Sequence, residues 1–496
     1  MFYENTIKTK KTTKQTLTYN KLNINLNTDD DGSILTENQT TVCYNFNSSS
    51  GILETGYGFS TIALPVYDGA TTNRTIRINQ DCDIKKLWHF KFYDNNSDSR
   101  QHKVMWFNGN GYLGTLNIFN YDSNTYEFNS LSAFTEQPVG VNYRYDDTDF
   151  MLFSYESGMY SLSQNVFAHY NPDCAQFVQM CVVYDNLFAI LEGDRNSLFY
   201  SSNLNPTTWQ STETKIDLTG DRGSLCSLVN FNDYLYIFRE YGITKVSKYS
   251  SSGDFSVSDL YQTSSKIFGE TVIKCGDTIV FLSKNGLYSF NGTSTKKYNL
   301  NINNMFEVID NNKAVACFNK GKYFVACRLD FNDTNLVGCE SYINGFTNNA
   351  LLSLDLETNE LVITRGLDIN SILSLNEGSL STVIASFYGE YSKTFGMLDN
   401  SGKNFGTALS SQWSSTLSNL DCPEKLKLVK QVVIKSYTDC VLTIKTDLEE
   451  KSFNINGSTK IQKKKVLVKG YEIQTQITSS GTARVFPPKL ILEVVN

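Results

Sequence analysis

The chain has 496 residues and carries 44 Lys plus Arg against 51 Asp plus Glu, a formal net charge of −7. Mild acidity argues against a dedicated nucleic-acid binder, which shows a basic face, and no run approaches the ~18 apolar residues that mark a membrane-spanning helix. With 29 Tyr and 31 Phe beside 7 Pro, and no long Ala/Leu/Glu/Lys stretch of helical period, the composition suits pleated, half-buried strands.

Residues 1–60 are polar. Lys8, Lys10, Lys11 and Lys14 are followed by no apolar stretch of the signal-peptide kind, so none is expected. Residues 17–26 alternate with period two and read as a strand, and Asp29-Asp30-Asp31-Gly32 as a turn. That strand has no sequence neighbour to pair with, so the segment is expected to be an arm that joins a sheet built elsewhere in the chain.

A β rhythm runs from residue 61 to 395. Apolar strand centres fall near Trp106, Leu152, Leu187, Leu235, Ile279 and Phe324, separated by 46, 35, 48, 44 and 45 residues. A seventh centre, Val383 to Phe387, follows about 60 residues after the sixth, and the excess predicts a surface insertion around residues 331–348. Asn285-Gly286 lies between two apolar runs, a strong hairpin signal. A strand–turn–strand unit recurs at 118–127, 287–295 and 352–361, each with Asp or Asn where the first strand ends. Asx side chains start such turns by bonding the backbone two residues on. Four short strands repeated every ~40–50 residues mark a β-propeller, here of six or seven blades.

The rhythm breaks at residues 392–402. After it come Trp413 and six short apolar stretches at roughly ten-residue spacing: 426–429, 431–435, 441–444, 465–468, 471–477 and 490–494. That spacing describes a small β-sandwich. The expected fold is therefore all-β: an N-terminal arm (1–60), a propeller (61–395) and a sandwich platform (396–496) that the arm joins. Residues 421–470 hold 11 Lys against 6 Asp plus Glu, a local +5 that leaves −12 for the rest of the −7 chain. The run Lys463-Lys464-Lys465 reads either as a solvated strand edge that resists unwanted pairing or as an assembly surface for an acidic neighbour.

Chemistry-bearing residues are sparse. None of the 11 Cys forms Cys-x-x-Cys, and several lie inside apolar strands, so they read as reduced, buried thiols. His89, His102 and His169 are not at metal-ligand spacing. Asp146, Asp147 and Asp149 form the densest carboxylate group; paired carboxylates can hydrolyse a glycoside, but the position before an apolar strand reads better as a loop between blades. Asn120, Asp122 and Asn124 mimic the start of a calcium loop without its Gly and closing Glu. No catalytic, cofactor-binding or metal residue is assigned, and no enzyme is expected.

Leu198-Phe199-Tyr200-Ser201-Ser202 is followed by Asn205-Pro206 and Trp209. This stretch resembles the Asp-box hairpin of sialidases, with Asn203 and Asn205 where the Asp would stand. It is closer to a strand and turn of propeller-containing bacteriophage tail proteins. Residues 232–245 are similar to the next blade of those proteins. Lys469-Gly470-Tyr471-Glu472-Ile473 and Pro487-Pro488-Lys489-Leu490-Ile491 are similar to their terminal sandwich. Leu22-Asn23-Ile24-Asn25, Asn45-Phe46 and Gly56-Tyr57-Gly58 match part of their N-terminal stretch, although its Gly-Gly is absent. In order, these motifs resemble the tail nozzle, or tail tube protein B, family of short-tailed phages. The resemblance implies a virion tail protein made in the bacterial host cytoplasm. It implies a homo-oligomeric ring, usually of six copies, below the portal and its adaptor, through which DNA is ejected without specific binding. The adaptor and other tail proteins are then partners, and no cofactor is needed. The alternative is a carbohydrate-binding or glycan-hydrolysing propeller that recognises a receptor. Glycan binding favours exposed Trp, and the chain has four: Trp88, Trp106, Trp209 and Trp413.

Overall fold

The computed structural model describes residues 12–22, 26–30, 39–48, 50–61, 83–94, 98–109, 113–117, 136–155, 158–163, 166–170, 176–202, 205–206, 209, 215–248, 254–307, 309–331, 343, 345–377 and 380–495. The first recurring unit (118–127), with its calcium-like Asn120, Asp122 and Asn124, lies outside them, as do Lys8, Lys10, Lys11, Cys82, Cys174 and Cys339. Strand is the dominant structure of the described chain; its named helices are one turn at Asn304–Glu307 and 3-10 turns at Gly269–Thr271 and Gly389–Tyr391.

Seven antiparallel sheets follow one another along residues 84–399. Their innermost strands are Ile84–Asp94, Val139–Tyr145, Phe177–Val183, Leu225–Phe231, Ile273–Cys275, Val315–Asn319 and Ile369–Glu377. Each contacts the next, and the last contacts the first. The result is a closed seven-bladed propeller. The seventh blade takes three strands from residues 369–399 and its fourth, Gly58–Thr61, from the N-terminal segment, which pairs antiparallel with Phe395–Asp399. A strand distant in sequence thus latches the ring.

The seven apolar centres all fall on the second strand of their blade: Ser99–Asn108, Thr148–Tyr155, Asn186–Leu191, Tyr234–Arg239, Thr278–Ser283, Lys322–Cys327 and Leu380–Phe387. Trp106, Leu152, Leu187, Leu235, Ile279, Phe324 and Val383 are all buried. The second strand has a hydrogen-bonded neighbour on each edge and a blade against each face, so it reads as a continuous apolar run. The innermost strand leaves one edge to the axis and mixes buried with half-exposed residues. The sequence therefore marked the strand one out from the axis.

In the second, third, fourth and sixth blades the first and second strands are joined by two-residue turns with positive φ: Asp146 (47°) and Asp147 (57°), Tyr184 (54°) and Asp185 (63°), Asn232 (50°) and Asp233 (60°), Lys320 (48°) and Gly321 (75°). Paired left-handed residues are the type I′ turn, whose twist matches a hairpin. Asp146 and Asp147 accordingly sit within the second blade rather than in a loop between blades, because Tyr145 pairs directly with Thr148. The two described copies of the recurring unit join third to fourth strands in the fifth and sixth blades. Asn291 Oδ1 accepts from the N–H groups of Thr293 (3.0 Å) and Ser294 (2.9 Å), and Asp355 Oδ1 from Glu357 (3.0 Å) and Thr358 (3.1 Å). The insertion at 331–348 lies inside the sixth blade. Its two ends are anchored, since Phe331 joins the core and the Asn348 amide donates to the carbonyls of Lys313 and Ile369, while Gly345 is exposed and residues 332–342 lie outside the described residues.

The platform is a sandwich of two sheets. In one, Thr12–Thr18, Lys489–Val495, Leu426–Ile434 and Gln462–Gly470 lie side by side. The two stretches expected at 426–429 and 431–435 are one strand with a register shift at Val429/Gln431. The other sheet continues from the sixth blade: its outer strand Leu361–Arg365 pairs with Thr40–Tyr44, then Ser410–Ser415, Ile473–Ser480, Cys440–Thr446 and Glu450–Ile455 follow. The arm strand begins earlier than the 17–26 expected from alternation, at Thr12, and pairs with the last strand of the chain. Leu17, Tyr19 and Leu22 bury in the platform core against Trp413, Val432 and Leu490.

Candidate functional surfaces

The first-hairpin turns all follow innermost strands that lie with like ends together. Asn230 near the end of one donates to Val182 O near the end of the previous one (3.0 Å), so these turns share one end of the ring. Asp98, Asp146, Asp147, Asp185, Asp233 and Asp277 are exposed there, on blades one to five. Tyr93, Tyr145 and Tyr234 stand beside them, 38%, 43% and 37% exposed. Type I′ geometry favours Asn, Asp or Gly, and at Asp146, Asp147, Asp185 and Asp233 the choice of Asp supplies the charge.

Cations of the chain's own also rest on this rim: Lys320 is exposed in the sixth blade's turn, and Lys274 Nζ lies 5.8 Å from the Phe231 ring centroid. Lys245 Nζ lies 3.2 Å from the Tyr234 ring centroid, and Arg144 Nη2 lies 3.2 Å from Asp147 Oδ1. Asp149 faces inward instead, accepting the Tyr93 N–H at 2.9 Å and tying the second blade to the first. Tyr143 is buried at the seam below, and its hydroxyl has no hydrogen-bond partner among the described residues. Burial, with the nearby Asp185 and Tyr145, pushes its pKa up to about 12.

On the platform, the strand Gln462–Gly470 ends its sheet. Lys463, Lys464 and Lys465 pair with Val433, Val432 and Gln431. Lys463 and Lys465 are exposed, whereas Lys464 turns to the half-buried side. Ile461, just before the strand, is 64% exposed, and Leu467, at φ 61° where the register shifts, is 48% exposed, so apolar groups flank the two exposed lysines. The run is thus an exposed, mixed cationic and apolar row of side chains on the last strand of its sheet, whose backbone the other sheet meets further on, with Lys451 Nζ donating to Val466 O at 2.9 Å. Sequence reading found the lysines but not the flanking apolar groups.

At the other end of the propeller, Lys86 Nζ of the first blade meets Glu270 Oε2 of the link between the fourth and fifth blades at 2.7 Å. His89 Nε2 and His102 Nδ1 lie 2.9 Å apart across the first hairpin, a pair invisible at thirteen-residue spacing until strand register is known. Among the described residues no group of three or more His, Cys, Asp or Glu is placed to hold a metal ion.

Two recesses lie where arm, outer blades and platform meet. One, of about 650 Å³, is lined by Lys21, Cys43, Asn47, Asn301, Lys322 and Glu360. Burial pushes the Cys43 thiol up to about 11, so it is a poor nucleophile. The other, of about 380 Å³, includes Arg365, Asp368, Tyr388, Tyr391 and Asn404. The Arg365 guanidinium packs 4.4 Å from the Tyr44 ring. Burial raises the Asp368 carboxyl, while the N–H groups of Asn348 and Thr347 oppose that shift. Trp88, Trp106 and Trp413 are core residues, and Trp209 is half-buried with its indole N–H donating to Pro206 O at 2.7 Å.

No family model matches the chain, and no curated protein matches it. Solved structures do. The N-terminal part of BBS1, solved in complex with ARL6, is 9% identical over 64% of this chain and 94% of that one, with a TM-score of 0.43. The RRP9 WD40 repeats are 7% identical over 64% and 94%, with a TM-score of 0.40. The extracellular domain of the putative hybrid two-component system BT4673 from B. thetaiotaomicron is 10% identical, with a TM-score of 0.44. It covers 91% of this chain, which spans 62% of that one.

Proposed function

We propose that this chain is a structural subunit of a bacteriophage tail, resembling the nozzle of short-tailed phages, and that several copies close into a ring through which DNA is ejected. The division of exposed charge carries the reading: carboxylates crowd one end of the propeller, and lysines line an edge of the platform. One copy thus bears two different, mutually attractive faces, as a closing head-to-tail ring requires. The passage belongs between copies, because the Lys86–Glu270 pair crosses the propeller's own axis. Acidic surface facing such a passage repels DNA phosphates and lets the duplex slide. In this role the protein makes and breaks no bond. The lysine row is the assembly surface, and the adaptor is the second partner.

Electron microscopy of the purified full chain, and of phage particles that contain it, tests the proposal. Closed rings with an axial opening wide enough for a duplex, found also in the tail, are expected. A chain that stays monomeric at high concentration and is absent from particles would overturn it.

A further inference from the structure

The rim and the lysine row match in chemistry as well as in sign. The rim offers exposed Tyr rings beside carboxylates on blades one to five, and it already holds Lys245 over Tyr234 and Arg144 against Asp147. The row offers two exposed ammonium groups, Lys463 and Lys465, between the exposed side chains of Ile461 and Leu467. An ammonium over a Tyr face gains cation–π attraction, more when water is excluded, and Ile and Leu bury well against aromatic rings. Tyrosine is enriched among the residues that dominate interface energy. Nucleic acid is repelled by the rim, whereas another molecule of the same chain always brings the complementary row.

We infer that the tyrosine–aspartate rim of one copy docks the lysine row of a second copy of this chain. The contact is heterologous, propeller to platform, and repeating it generates either a closed ring or an open filament. This deepens the ring-forming part of the proposal above and rests on it for the choice of occupant. Complementary charge steers the encounter and fixes its register.

Sedimentation velocity on the full chain at low salt tests it with two variants. Lys463→Glu/Lys465→Glu reverses the row. Asp146→Lys/Asp185→Lys reverses the rim, and the φ of 48° at Lys320, the first residue of its turn as Asp146 is of its own, shows that the Asp146 position accepts Lys. Each variant alone should self-associate at least ten-fold more weakly than the wild type, and an equimolar mixture should recover assembly, because the native rim of one meets the native row of the other and the reversed, acidic row meets the reversed, basic rim. Recovery on mixing cannot come from misfolded protein. Should either variant fail to fold, the milder pairs Lys463→Gln/Lys465→Gln and Asp146→Asn/Asp185→Asn read the same weakening. Wild-type assembly by both variants overturns the inference, and so does a wild type that never associates. Rings indifferent to the reversals leave the tail reading standing and remove this contact. Filaments sensitive to them keep the contact and remove the ring.

Discussion

Lys86 and Glu270 meet at 2.7 Å although one belongs to the first blade and the other to the link between the fourth and fifth. In a seven-membered ring these positions are opposite, so the pair spans the axis and braces it. The ammonium of Lys86 holds the Glu270 carboxyl below its ordinary value. A depressed carboxylate stabilises the fold above its unfolded pKa, and that contribution is lost as pH falls through the folded value. Both side chains are partly exposed, so the stabilisation is small, at most ~1 kcal/mol. Glu270→Gln is expected to lower the urea midpoint slightly at pH 7, and the difference should shrink as the pH is lowered below 4. An equal difference at both pH values would show that the ion pair is not the cause.

The arm is expected to be essential to the platform. Tyr19 meets Trp413 edge to face at 5.7 Å, its hydroxyl lies 3.0 Å from Thr475 Oγ1, and the Trp413 indole N–H donates to Leu22 O at 3.1 Å. Trp413→Ala should cost ~3–5 kcal/mol, as large-to-small changes of buried aromatic residues do. Removing the chain through residue 22 exposes the same cavity together with a strand edge, and should leave residues 403–495 aggregating or protease-sensitive. Limited proteolysis checks this, and a truncated chain as resistant as the whole would contradict it.

Tyr143→Phe removes a buried hydroxyl that has no partner among the described residues. Losing an unsatisfied polar group is neutral or favourable, with the group's burial costing ~1–3 kcal/mol in the parent. The variant should therefore melt at the wild-type temperature or above it. A clear loss of stability would mean that the hydroxyl is bonded through water.

The positions of the blades were legible because the second strand is buried on both faces, and seven apolar runs announce it. The turns were less legible. Asp146-Asp147, Tyr184-Asp185, Asn232-Asp233 and Lys320-Gly321 share backbone geometry rather than residue type, so no fixed motif repeats. The weld between propeller and platform was hidden altogether. It rests on Tyr44 bridging to Ile363 and Gln412, hundreds of residues away, and nothing local in Thr40–Tyr44 records such partners. The rim was partly visible. Asp146 and Asp147 stood out as carboxylates, but their alignment with Asp185 and Asp233 follows from ring closure alone.

The turn of the sixth blade separates backbone strain from crowding. Gly321 has φ 75°, and no atom lies within 4 Å of where a Cβ would stand. Gly321→Ala therefore meets no clash, and its cost is that of placing an L-residue in the left-handed region, ~1–2 kcal/mol. Lys320 precedes it with φ 48° and is exposed. Asn tolerates that conformation better than Lys, and Asn-Gly is the preferred pair of a type I′ turn. Lys320→Asn should consequently stabilise the protein by up to ~1 kcal/mol, within the usual range for a conformational improvement at a compatible site. The two variants touch the same exposed turn and should shift the denaturation midpoint in opposite directions. If both destabilise, Lys320 contributes through its side chain, and conformational preference does not control this hairpin.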